Sequence, residues 1–249
     1  MIPTIPWKKL LAVVCMGWPA LPGPAVAQVP AAGHAAHAAA ATADPLGRDS
    51  PVREMHAHVC GFHFYSGDLK RALRVDHYCS HPGDGIFQCV IYDSDAKNAR
   101  LIGVEYIISE ARFRALPAEE KKLWHSHRYE VASGLLTAPD ATAAEEKALM
   151  QELVNTYGKT WHLWQVDRGD AVPLGLPKLM MGFTADGQVD AALVAERDHR
   201  LSIDPAKVKA GRADLTVRPV AEGADAWQRG PAFQLSDDAM KDGAVAPKS

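Results

Sequence analysis

Two runs of β-branched and aromatic residues, Ile86–Tyr92 and Leu101–Ile108, are separated by Asp93-Ser-Asp-Ala-Lys-Asn98, a stretch of turn chemistry. The pattern predicts a β-hairpin. It constrains the rest of the chain, because a lone hairpin is marginal in water and needs further strands or helices to cover it. Trp124–Leu136 and Lys159–Val166 read as two more strands, and Leu179-Met-Met-Gly-Phe-Thr184 as another, closed by the Asp186-Gly187 turn. Helices are fewer. Thr142-Ala-Ala-Glu145 is a capping box, Leu149, Met150, Leu153 and Tyr157 form a helical stripe, and Gly158 is placed to stop it. Val189–Leu201 predicts a second helix and Pro117-Ala-Glu-Glu-Lys-Lys122 a short third. No βαβ alternation occurs, so the expected class is α+β: a mainly antiparallel sheet with a few packed helices.

The two ends of the chain have a different composition. Lys8 and Lys9 precede an apolar run from Leu10 to Trp18, then Pro22-Gly-Pro24 and Ala25-Val-Ala27. This is the order of a secretory signal peptide, residues 1–27, with cleavage between Ala27 and Gln28. The run is too short to cross a bilayer, which takes about 20 apolar residues. The expected location is therefore periplasmic or secreted, with no transmembrane segment. Residues 28–51 are alanine-rich and read as a disordered linker; 52–204 form the domain; 205–249 are a C-terminal extension, partly disordered. Of the 27 Lys and Arg, two leave with the signal peptide and none of the 30 acids does, so the formal charge moves from −3 to −5. That balance argues against a nucleic-acid partner, which needs a basic face. Cys60, Cys79 and Cys89 remain. Cys79 and Cys89 would close a short loop suited to a disulfide in an oxidising compartment; buried free cysteines are the open alternative.

Histidine is where chemistry concentrates. Apart from His34 and His37 in the linker, all lie between His56 and His199, several in groups: His56-Ala-His58 with His63, His77 and His81, His125-Ser-His127, and His162. On a strand, H-x-H puts both imidazoles on one face, which is half of a metal site. Glu105 interrupts an otherwise apolar strand and needs a cation, a metal or a donor if buried. The candidate ligands for a divalent metal are therefore His125, His127, His56, His58 and Glu105. Glu130 has the opposite parity to His125 and His127 and would point away on an unbroken strand. The competing reading packs these histidines, beside Trp124, Tyr129, Trp161 and Trp164, into a half-polar core.

Familiar catalytic signatures are missing. The sequence holds no G-x-S-x-G, no phosphate loop, no dinucleotide glycine motif and no H-E-x-x-H. H-x-H followed by Glu suggests a cupin-like metal barrel. However, only two residues separate His127 from Glu130, where cupins have three or four, and a second cupin motif is absent.

Longer stretches carry a fuller resemblance. Met55-His-Ala-His-Val-Cys-Gly-Phe-His-Phe-Tyr65, His77-Tyr-Cys-Ser-His81 and Gln88-Cys-Val-Ile-Tyr-Asp-Ser94 come first. Ala99-Arg-Leu-Ile-Gly-Val-Glu-Tyr-Ile-Ile-Ser109, Leu123-Trp-His-Ser-His127 with Tyr129-Glu-Val131, and Tyr157-Gly-Lys-Thr-Trp-His162 through Gly169 to Met180 follow. Across residues 55–200 the chain resembles the oil body-associated proteins, also described as a domain of unknown function. The resemblance implies association with lipid droplets, as in plant seeds, and carries over no catalytic residue set; no cofactor is established, and a divalent metal stays open. The bacterial-type signal peptide and the linker depart from the plant pattern and speak against cytosolic droplets. Three functions compete: a non-enzymatic lipid- or envelope-associated protein, docking through Leu174-Gly-Leu-Pro-Lys-Leu-Met-Met181; a histidine-liganded metal protein or metal-dependent enzyme; and a small-molecule binding module. Oligomeric state is not encoded in any of these motifs.

Overall fold

The computed structural model describes residues 46–238, and the signal peptide and most of the alanine-rich linker lie outside that range. Seven strands form one antiparallel sheet: β1 (Ala57–Tyr65), β2 (Asp68–Gly83), β3 (Ile86–Tyr92), β4 (Leu101–Ser109), β5 (His125–Ser126), β6 (Thr156–His162) and β7 (Lys178–Met181). Their spatial order is β4-β3-β2-β1-β7-β6-β5, and β6 pairs back onto β4. Six strands therefore close into a barrel, with β5 a short extra strand on β6. Closure removes the open sheet edges that would otherwise invite aggregation.

Local chemistry explains the turns. β2 and β3 are joined through Asp84-Gly85, with φ of 55° and 65°, while Gly83 pairs with Ile86. Asp-Gly with both residues at positive φ is the two-residue hairpin turn whose twist matches its strands. The predicted hairpin is β3–β4, in register from Ile86↔Ile108 to Ile91↔Gly103, with a one-residue shift before Tyr92↔Leu101. β1 and β2 went unpredicted. Asp68, Lys70, Arg71 and Arg74 break up the apolar signal along β2.

The helices are α1 (Glu110–Arg114), α2 (Ala118–Lys121), α3 (Arg128–Ser133), α4 (Ala143–Leu153), α5 (Ala191–Leu201) and α6 (Pro205–Gly211). The capping box of α4 is present, with the Thr142 side chain accepting from Glu145 N and the Glu145 carboxylate accepting from Thr142 N. Two expectations require correction. α4 ends at Leu153 rather than at Gly158, because Thr156 and Tyr157 already pair with β4. The strand expected over Trp124–Leu136 is only His125–Ser126. Its partner β6 begins at Thr156, so after the bond from His127 N to Thr156 O the chain has no further strand to pair with and turns into α3.

Apolar side chains fill both faces of the barrel wall. Tyr65, Leu73, Val75, Ile91, Ile102 and Met180 pack as one buried cluster, and Phe62, Phe64, Leu179, Met181 and Phe183 as another against α5 and Trp227. Each such side chain contributes about 1.5–3 kcal/mol relative to exposure. Cys79 and Cys89, paired in register across β2 and β3, form a disulfide, and Cys60 is a buried thiol. The chain after α6 wraps back. Asp225 accepts from Ser126 N and Oγ at 2.9 and 2.7 Å, and the Trp227 ring meets Phe64 edge-on at 4.8 Å.

Candidate metal centre

The barrel brings Glu105 to the middle of its interior. On β4 it is 2% exposed, paired in register with Cys89 on one side and Thr160 on the other. Four imidazoles surround its carboxylate. His77 Nε2 lies 2.9 Å from Oε2, and His63 Nε2 lies 3.7 Å from the same oxygen. His127 Nε2 and His125 Nε2 lie 3.1 and 3.4 Å from Oε1. Room for this convergence comes from Gly158 on β6, where a Cβ would overlap Glu105 Oε1 and come within 2.8 Å of both His125 Nε2 and His127 Nε2. Gly182 plays the same part for Glu130, whose Oε2 would collide with a side chain there.

Burial by itself would raise the Glu105 carboxyl, but the imidazole edges of His125, His127 and His77 outweigh it and hold it well below the ordinary value. Such an edge favours the anion when its Nε2 carries a proton, and at two of them Nδ1 is the nitrogen that must carry one. His77 Nδ1 lies 3.3 Å from Val59 O, and a carbonyl only accepts, so Nδ1 carries the proton. Thr156 Oγ1 spends its own proton on Leu153 O, so it accepts from His127 Nδ1 at 2.9 Å. The neutral forms of His77 and His127 thus aim their Nε2 lone pairs at a carboxylate. At His125 burial would lower the imidazole, but the hydrogen bond and charge of Glu105 prevail and raise it, so a proton there favours the carboxylate. His127 does not follow it. Burial pushes it below its ordinary value, as it does His63 and His162, the last to about 3. Burial likewise drives Glu130 up to about 8. His125 is fully buried, with Nε2 turned to Glu105 Oε1 and Nδ1 without a hydrogen-bond partner.

A metal cation would give the carboxylate and the Nε2 lone pairs one shared positive partner. Ligands about 2.0–2.1 Å from a metal are separated from one another by about 2.9–3.4 Å in tetrahedral or octahedral arrangements. Three of the four Nε2–carboxylate separations lie in that range or at its limit. Two overlapping groups have their ligand atoms within 4.8 Å of one another: His63, Glu105 and His125; and His125, His127 and Glu130. The anchoring of His77 by a backbone carbonyl and of His127 by a hydroxyl is of the kind that orients the imidazole in known metal sites.

Of the residues singled out in the sequence, the structure brings together His125, His127 and Glu105. His56 and His58 do not join them. His56 precedes β1 and is exposed, its Nδ1 donating to Glu54 O at 2.8 Å. His58 faces outward, between Asp140 at 2.6 Å and Asp76 at 3.0 Å, and stacks on Tyr78. β1 alternates, so His63, five residues on, points inward. Glu130 is on a helix, where strand parity does not apply, and it is buried beside His125. The proposed docking stretch also divides: Leu174 is 50% exposed, but Leu179, Met180 and Met181 are buried in the barrel wall. Among the described residues, no helix is long and apolar enough to cross a membrane.

Comparison with known proteins gives one family. The model described as "Protein of unknown function (DUF1264)" matches residues 49–216. The chain is 43% identical over 179 residues to oil body-associated protein 1B of Arabidopsis thaliana, covering 70% of this chain and 74% of that one. It is 45% identical over 184 residues to oil body-associated protein 2A of Zea mays, covering 72% and 73% respectively. No solved structure matches.

Proposed function

We propose, for a chain that belongs to the DUF1264 family of oil body-associated proteins, that the barrel interior is a transition-metal centre. Glu105, His63, His77, His125 and His127 supply the ligands, and Glu130 lies alongside. The observation that carries this reading is the pair of imidazoles whose tautomers are fixed by Val59 O and Thr156 Oγ1, both with Nε2 toward one buried carboxylate. A mixed imidazole and carboxylate set suits zinc, iron or manganese. Elemental analysis of the untagged protein tests it. One equivalent of metal is expected, lost in Glu105→Ala and His127→Ala. A folded wild-type chain that takes up none of the three metals would overturn it.

A second reading, association with a lipid surface, is supported by the printed names of the plant relatives. It is supported too by Leu163, Val172 and Leu174, 43%, 54% and 50% exposed in the connection from β6 to β7. Co-flotation with neutral phospholipid vesicles is expected, and its loss in a Val172→Ser, Leu174→Ser double variant. Absence of flotation with every lipid composition would end this reading. Export is supported by the sequence of residues 1–27 and by the Cys79–Cys89 disulfide, a bond that persists in oxidising compartments. A mature N-terminus at Gln28, read by mass spectrometry, is the expected result.

A further inference from the structure

The surroundings of the centre limit what can reach it. A cavity of about 20 Å³ lies against it, lined on one side by His63, His77, Glu105, His127 and Glu130. A hydrogen-bonding molecule the size of water needs roughly 10–15 Å³ of such space, so there is room for about one. The remaining lining is largely apolar, and its most exposed member, at only 7%, is Leu136. Leu136 sits over Gly61 of β1: a Cβ on that glycine would lie 2.9 Å from Leu136 Cδ1. The loop carrying Leu136 is fastened in place. Thr137 exchanges backbone hydrogen bonds with Cys60, and Arg212 Nη1 donates to Leu136 O at 2.8 Å. Among the described residues, the hollows of about 430 Å³ beside Ser126 and about 630 Å³ beside His58 are lined by none of the four imidazoles around Glu105, and a hollow of about 220 Å³ beside Met55 and Tyr106 takes in Glu105 but none of the four.

We infer that the centre binds, at a coordination position facing this cavity, only molecules of diatomic or triatomic size, and that Leu136 packed over Gly61 is the plug that excludes anything larger. This rests on the metal reading above and adds to it a ligand class: water, dioxygen, peroxide or a small anion. An organic substrate does not enter. The five polar residues give such a molecule acceptors and donors on one side, and the apolar wall gives it no competing partner on the other.

Cobalt(II) is the probe that separates this inference from the reading beneath it, because its visible absorption reports first that metal is bound and then that a ligand has joined it. Azide is expected to shift the spectrum of the cobalt-loaded wild-type protein, and imidazole to leave it unchanged. In Leu136→Ala the plug is shortened, and imidazole is expected to shift the spectrum at concentrations to which the wild type is silent. Leu136→Val, a smaller shortening of the plug, serves if Leu136→Ala does not fold, and is expected to admit imidazole at higher concentrations than Leu136→Ala would. A wild-type spectrum that responds to imidazole, or that ignores azide, overturns the inference while leaving the metal centre standing. Failure of Leu136→Ala, once folded and loaded, to admit imidazole removes Leu136 as the plug. A chain that takes up no cobalt overturns the metal reading itself.

Discussion

Gly158 has no room for a side chain, because the space in front of it is taken by Glu105 Oε1, His125 Nε2 and His127 Nε2. Gly158→Ala is therefore expected to displace the Glu105 carboxylate, costing about 1–3 kcal/mol of stability by overpacking and abolishing metal uptake. Chemical denaturation and metal stoichiometry measure the two effects. Gly211→Ala, with nothing within 4 Å of the added carbon, is the control, and its change should stay within about 0.5 kcal/mol. His58 lies outside the centre and should betray itself by pH. Burial alone would lower it, but hydrogen bonds and charge from Asp76 and Asp140 prevail and raise it above 6.5. A group whose folded value is raised stabilises fully below its unfolded value and loses that contribution as pH climbs through the folded one. Wild-type stability is expected to fall as pH rises above 6.5, and His58→Gln to lack that component. Parallel curves for the two proteins would sink the assignment. At this scale the sequence was readable wherever a residue broke a local pattern. Glu105 stood out as a carboxylate in an apolar strand, and His125 and His127 as an alternating pair.

Between elements, sequence patterns say much less. His63 and His77 come from two strands, and nothing nearby in sequence sets either above the other histidines. They meet Glu105 because β1 pairs with β2 so that Val59 stands opposite His77, and β2 with β3 so that Cys79 stands opposite Cys89, itself opposite Glu105. A register shift of one residue would turn each of them outward. Glu130 was misjudged for the same reason, since its direction depends on where β6 stops offering a partner. The connection from α3 to α4, which carries Leu136, depends equally on distant elements. Arg197 of α5 donates to Leu135 O and Gly134 O, while Arg212, just beyond α6, donates to Val131 O and Leu136 O and pairs with Glu146 at 2.6 Å. The Arg212 side chain is 3% exposed. Truncating one partner of a buried charged network typically costs about 3–5 kcal/mol. Arg212→Met, which keeps the apolar stem, is expected to fall near the lower end of that range in urea denaturation. It should also hasten the loss of bound metal to a chelator. A change below about 0.5 kcal/mol would mean that the loop is held by its backbone bonds alone.

Over the whole molecule, what the α+β pattern could not convey was closure. β4 and β6 pair from Gly103↔His162 to Ser109↔Thr156, across about fifty residues that include four helices. No periodicity records such a contact. Closure gathers residues from β1, β2, β4, β5 and α3 around one point, so a metal there ties together segments far apart in the chain. The consequence is a linkage between metal and global stability. A ligand bound only by the folded state stabilises it by RT ln(1 + [L]/Kd), about 2.7 kcal/mol at a hundredfold excess over Kd. For a domain of this size each kcal/mol moves the melting temperature by about 2–4 °C. Loading with the preferred metal is therefore expected to raise Tm by roughly 5–10 °C at that excess, and a chelator to reverse the gain. In Glu105→Gln, which keeps the shape of the side chain but not its charge, Tm should no longer respond to metal. An unchanged Tm in the loaded wild-type protein would mean that any metal bound lies outside the closed barrel, on a surface that the folded and unfolded chains share.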